Sequence, residues 1–231
     1  VCTLILLHRP HLADTTAWPL LLAANRDEML ARPWLPPATH WPEQPDVIGG
    51  LDTLGGGTWL ATSEAGVVAG VLNRTGSLGP QPGKRSRGEL PLLALRHPTA
   101  DAASSALMGL NAADWRSFNL IIADSQTAYF IRGLGSGAIT SARLAPGLIM
   151  IASSDPNDMS HPRVARHFPR FQSAEPPNPP DWGTWPTLLA YANDPPETAL
   201  RIPPTNGFGT VSSTLIAMGP GRTDTCFFVP P

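Results

Sequence analysis

"LLLAANRDE", Leu20 to Glu28, joins an unbroken aliphatic run to an amide, a guanidinium and two carboxylates. The aliphatic half reads as a strand buried on both faces, because a short continuous apolar run fills the interior of a sheet. The polar half reads as loop, yet no glycine, proline or turn dipeptide announces one. Only 15% of the chain is charged, so three charges in succession at the end of a core strand need a reason. One explanation is a solvated turn with Asn25 capping a helix. The other is a set of functional side chains held where the strand ends.

Outward from this stretch the chain is a series of strand pairs. Residues 2–7 and 19–24 form the first, joined by a polar loop around Asp14. Pro33 to Pro45 reads as proline-rich loop, and "GGLDTLGGGTWLAT" as glycine punctuation before a strand starting near Thr58. "GVVAGVLN", Gly66 to Asn73, is a further buried strand. Short helices are predicted at about 89–96 and 101–110, then strands "FNLIIAD", "TAYFIRG", "AITSARL" and "GLIMIAS". Helices at 162–171 and 185–192 precede a last pair, "TVSSTLIAM" and "DTCFFVP". Paired strands interrupted by helices predict antiparallel sheets with helices outside, an α+β fold. With no repeat and no linker, residues 1–231 read as a single domain.

Composition narrows the function classes. Forty-two per cent of the 231 residues are hydrophobic, enough for a real core despite 27 prolines. A net charge of -2 gives no electrostatic ground for a nucleic-acid partner. No apolar run approaches the ~18 residues of a membrane span. "VCTLILLHRP" has no basic leader or small-residue cleavage site, which predicts a cytoplasmic chain. Cys2 and Cys226 could pair only if the first and last strands were neighbours, and a reducing compartment disfavours it. No metal site and no organic cofactor is predicted, and the sequence assigns no oligomeric state.

Several familiar patterns fail. "GPQPGKRS" has three residues between its glycines where a phosphate loop has four, and reads as a solvated basic loop. "GLGSG" lacks dinucleotide spacing, and no serine elbow occurs. Cys2 remains. A cysteine in an aliphatic strand is ordinarily a small buried hydrophobe. Residue 1, however, is valine, which a GTG start codon spells. If it is translated as methionine and trimmed, Cys2 becomes the mature amino terminus, with thiol and α-amine on one residue. An α-amine titrates near pH ~8 and can take the proton of its own thiol. Arg26 would then lower the thiol pKa and Asp27 would hold the amine, converging if the chain bends there. As polar residues at a strand end, both are expected to add little to core stability.

"CTLILL", "LAANRDE", "GGLD" with "GGGTWLA", "AGVLNR" and "RGEL" follow one another in the order seen in the NRDE family, also called transport and Golgi organisation protein 2. The matches are dense from Cys2 to Leu90 and thin to "FNLI" and "GT…SST" beyond it. That family resembles the N-terminal nucleophile hydrolases, in the branch of penicillin V acylase and bile salt hydrolase. The resemblance implies a four-layer αββα sandwich with two antiparallel sheets. It implies Cys2 as nucleophile, Arg26 and Asp27 as charged partners, and Asn73 as the oxyanion amide. Asn25, Trp59, Ser154 and Val211 fall on its substrate side. Relatives carry asparagine at Ser153-Ser154 and arginine at Val211, so recognition is expected to differ here. The function so implied is hydrolysis of an amide or acyl bond through an acyl-thioester, on a small-molecule substrate. The alternative is a carrier or chaperone of a hydrophobic ligand, an acyl lipid or haem, with Trp34 and Trp41 edging an apolar cleft.

Overall fold

The computed structural model describes residues 2–12, 17–195 and 197–228. The polar loop around Asp14, the trimming expected at Val1 and the last two residues of "DTCFFVP" lie outside these. Along the chain run β1 (Thr3–His8), β2 (Leu20–Met29), β3 (Trp34–Ala38), β4 (Val47–Asp52), β5 (Leu60–Ser63) and β6 (Val68–Asn73). Then come α1 (Glu89–Ala94), α2 (Ala100–Leu107), β7 (Phe118–Ala123), β8 (Ala128–Gly133), β9 (Thr140–Arg143) and β10 (Gly147–Ile151). The chain finishes with α3 (Pro162–Ser173), α4 (Trp185–Ala190), β11 (Phe208–Gly219) and β12 (Arg222–Phe228). These elements form two compact units, Val1–Ala31 with Pro146–Pro231, and Arg32–Ala145.

The first unit holds a five-stranded antiparallel sheet in the order β10-β1-β2-β11-β12. β2 is its middle strand, which is why Leu20, Leu21, Leu22 and Ala23 are all fully buried. Alternate side chains point to opposite faces. Ile5, Leu21, Ala23, Met150, Leu215 and Ala217 share one face, packed on Val164 and Phe171 of α3 and Trp185 and Leu189 of α4. β1 and β12 are separated by two strands, so Cys2 and Cys226 stand as free thiols.

The second unit is a seven-stranded antiparallel sheet in strict sequence order, β3 to β9. Val47, Ala61, Ala69, Leu120, Ile122 and Ile131 pack on α1 and α2 through Leu90, Ala94, Ala103 and Leu107. Each unit is thus a sheet with helices on one face. Two strands escape the sequence reading. β3 contains Pro36 and Pro37 and survives only as an edge strand, where missing donors cost no ladder bonds. β4 carries Gly49 and Gly50 because there is no room for a side chain: a Cβ on Gly49 would come within 2.5 Å of the Ala61 Cβ on β5, and one on Gly50 within 2.2 Å of the Trp59 ring just before β5.

Candidate active site

β2 does not stop at Ala24. It continues to Met29, so "NRDE" is strand and not loop. Two partners carry it on: Thr3 faces Asn25 across β1, while Ser212 faces Arg26 and Thr210 faces Asp27 across β11. The chain does not bend between Arg26 and Asp27, and their side chains leave opposite faces of the sheet. The expected convergence of the two side chains is replaced by a division of labour. Continuing the register by one residue places Cys2 beside Arg26, so Cys2, Arg26 and Ser212 form one row on one face. Thr3, Asn25 and Asp27 form the row on the helix-bearing face.

Cys2 is half-buried, and its Sγ lies 3.8 Å from the main-chain oxygen of Asp27. Burial pushes the thiol pKa up, and the Asp27 carboxylate pushes the same way. A backbone hydrogen bond with Asp27 and, after it, the Arg26 guanidinium pull against them without reversing the direction. The thiol so placed keeps its proton at neutral pH and needs a base to become a nucleophile.

On the opposite face the polar groups are tightly committed. Asp27 Oδ1 accepts from Thr210 Oγ1 at 2.6 Å, and Oδ2 accepts from Arg163 Nη1 at 3.0 Å. The Arg163 and Asp27 side chains are 5% and 0% exposed, so this ion pair is fully desolvated. Asn25 Nδ2 donates to the carbonyls of Leu189 and Leu200, and its Oδ1 accepts from Ser213 Oγ. Expected on the substrate side, Asn25 is placed instead on the helix side, holding the segment after α4.

Ser153 and Ser154 follow β10. His161 caps α3 by accepting the Arg163 N–H at its Nδ1, which leaves the proton on Nε2, 3.2 Å from Ser153 Oγ. Burial, with the Arg163 charge, lowers the His161 pKa, so the ring stays neutral and donates to Ser153. Ser154, next in the chain, is half-buried. Val211 is the extra residue of a β-bulge between Thr210 and Ser212, and is buried. In the second unit, Trp59 is half-buried and stacks edge-on with Trp34 at 5.8 Å. Trp41 is buried, its Nε1 donating to the Gly56 carbonyl. Asn73 ends β6 opposite Phe118, also half-buried. Among the described residues no group of three or more His, Cys, Asp and Glu is placed to hold a metal ion.

Arg163, Thr3 and Thr210 escape the sequence reading. Arg163 left one legible signal. It shares the buried stripe of α3 with Val164, His167 and Phe171, where an amphipathic helix carries apolar residues.

Residues 1–176 match the family described as Transport and Golgi organisation 2. The chain belongs to that family. The bovine Transport and Golgi organization protein 2 homolog is 34% identical over 130 residues, 54% of this chain and 45% of its own. The human homolog is 33% identical over 133 residues, 55% of this chain and 47% of its own. The chain therefore spans about half the length of the curated relatives it matches. Among solved structures it resembles a Caenorhabditis elegans ortholog of N-acylethanolamine-hydrolyzing acid amidase, with TM-score 0.65 and 13% identity over 93% of this chain and 92% of that one. It also resembles a variant of conjugated bile acid hydrolase from Clostridium perfringens, with TM-score 0.55 and 9% identity over 99% and 92% of the two chains. At these identities the likeness is one of fold. This member of the transport and Golgi organisation 2 family has the α+β fold of the N-terminal nucleophile hydrolases.

Proposed function

We propose that this chain hydrolyses an amide or related acyl bond with Cys2 as nucleophile. The observation that carries the proposal is the placement of Cys2, at the head of β1 beside Arg26 and against the Asp27 carbonyl, in a fold shared with amide-cleaving enzymes. In the proposed reaction the Cys2 α-amine takes the thiol proton, and the thiolate adds to the carbonyl carbon. The oxyanion collapses, the C–N bond breaks, and the leaving amine departs with the proton. Water then adds to the acyl-thioester and releases the acid and the thiol. The base must be an amine, because an amide nitrogen has a delocalised lone pair. The mechanism therefore requires the mature chain to begin at Cys2. Arg26 favours the thiolate. Asn73 is proposed as an oxyanion donor on the family resemblance alone.

The experiment is alkylation of the folded protein across pH, with intact mass to establish whether residue 1 is present. Screening against acyl-amide and acyl-thioester substrates accompanies it, with Cys2→Ala as control. Cys226 is the internal reference, since burial and then Asp224 raise its pKa. Cys2 should react faster than Cys226 and turnover should vanish in Cys2→Ala. Full activity with residue 1 attached would remove the α-amine from the mechanism.

A half-buried thiol that keeps its proton also fits a second reading without turnover, a carrier of a hydrophobic ligand such as an acyl lipid or haem. Negligible Cys2 reactivity in the trimmed protein, with saturable binding of an acyl compound, would decide for it.

A further inference from the structure

We infer that Arg163 is the positioning residue of the Cys2 site, a guanidinium on α3 that ties the ends of β1 and β2 together one residue from the thiol. The inference rests on the proposed role of Cys2. Arg163 Nη1 carries two hydrogens, and both are spent on the two strands: 2.9 Å to Thr3 Oγ1 and 3.0 Å to Asp27 Oδ2. Thr3 is covalently next to Cys2, and Asp27 offers the carbonyl that the Cys2 Sγ approaches. The two residues that Arg163 joins are therefore the two that set where the sulfur sits.

The far side of the carboxylate is fixed as firmly. Thr210 Oγ1 accepts the Ile202 N–H at 2.8 Å, and gives its own hydrogen to Asp27 Oδ1. With both oxygens held, Asp27 cannot turn without breaking a buried bond. α3 itself is anchored at its start by the His161 cap and further along by Arg166, whose Nε and Nη2 lie 3.1 and 2.9 Å from Asp194 Oδ1.

The arrangement has an electrostatic consequence for the thiol. The Asp27 carboxylate opposes ionisation of Cys2, and the paired guanidinium of Arg163 offsets that charge at contact distance. A buried ion pair of this kind is weak evidence for stability, since apolar residues of similar volume serve as well. Its use is placement and charge balance. Lysine restores the charge, and its ammonium carries three hydrogens for the two acceptors that Arg163 meets with a single nitrogen.

The test compares Arg163→Gln, Arg163→Lys and Thr3→Val with the parent chain. Cooperative unfolding is checked first. Cys2 ionisation is then read from thiolate absorbance across pH, and Cys2 and Cys226 alkylation from peptide mapping after iodoacetamide. Arg163→Gln should raise the Cys2 midpoint by about one pH unit, equivalent to about tenfold slower alkylation at a fixed pH below it. Cys226 should not change. Arg163→Lys should recover the midpoint because the charge returns. Thr3→Val, which keeps the ion pair and loosens the strand end, should slow Cys2 alone. A folded Arg163→Gln with the parent's midpoint overturns the inference. If that variant does not fold, an unchanged Cys2 rate in Thr3→Val overturns it. The hydrolase reading fails separately, on absence of acyl turnover, because the midpoint shift is read without any substrate.

Discussion

Replacing Asp27 by asparagine changes one atom and tests the buried network directly. In the parent chain Oδ2 receives Arg163 and Oδ1 receives Thr210. An asparagine amide facing Arg163 sets donor against donor. Turned the other way, it meets Arg163 as a neutral acceptor, while Thr210, already accepting from Ile202, loses the acceptor for its hydrogen. In both orientations a guanidinium only 5% exposed loses its ion pair with Asp27. Breaking a buried pair on one side costs about 3–5 kcal/mol, and burial this complete calls for no discount for solvent screening. The assay is denaturant unfolding followed by tryptophan fluorescence, for which Trp18, Trp182 and Trp185 report from the same unit. Asp27→Asn should lower the midpoint concentration at unchanged slope. Asp27→Leu combined with Arg163→Met should regain most of the loss, since neither charge then remains buried. A loss below about 1 kcal/mol in Asp27→Asn would refute the reasoning, because that is what a solvent-screened pair gives.

Arg26→Ala should raise the pH at which Cys2 alkylates, because it removes a positive charge that favours the thiolate; an unchanged alkylation profile would show that Arg26 exerts no field at the sulfur. Asn73→Ala should cost roughly 100- to 1,000-fold in kcat on any substrate found, with little change in KM, as loss of an oxyanion donor does. Stability should fall as pH drops below about 6.5, the pKa of an unfolded histidine. Burial lowers the His167 pKa even though Asp194 stands 3.2 Å away and favours the charged ring, with Arg170 and Arg163 opposing it. The folded state then binds fewer protons than the unfolded one, so stability is full above the unfolded pKa and is lost toward the folded value. His167→Gln should flatten that part of the stability profile in denaturant titrations at several pH values.

The aliphatic runs were enough to place most of the strands, since a period-2 or wholly apolar pattern is local information. β1, the first half of β2 and β6 to β8 follow from it, as do the helices, to within a turn at their ends. The order "CTLILL…LAANRDE…GVLNR" also sufficed to indicate the family, because identity along the chain needs no coordinates. Residue type together with chain position, a cysteine after residue 1 and charges at the end of an apolar run, marks Cys2, Arg26 and Asp27 as candidates. What it could not decide is which face each occupies. That depends on whether β2 runs on through Met29, and the continuation exists only because β1 and β11 pair with it from distant parts of the chain. β3 and β4 were hidden for the same reason, since an edge strand with prolines and a strand with paired glycines have the local signature of loops. Arg163 is the sharpest case. On the sequence it is one cation in a basic helix, 136 residues from Asp27. Its meaning comes from desolvation, which only the packed fold imposes: a charge withdrawn from water must find its partner nearby, wherever that partner lies in the chain.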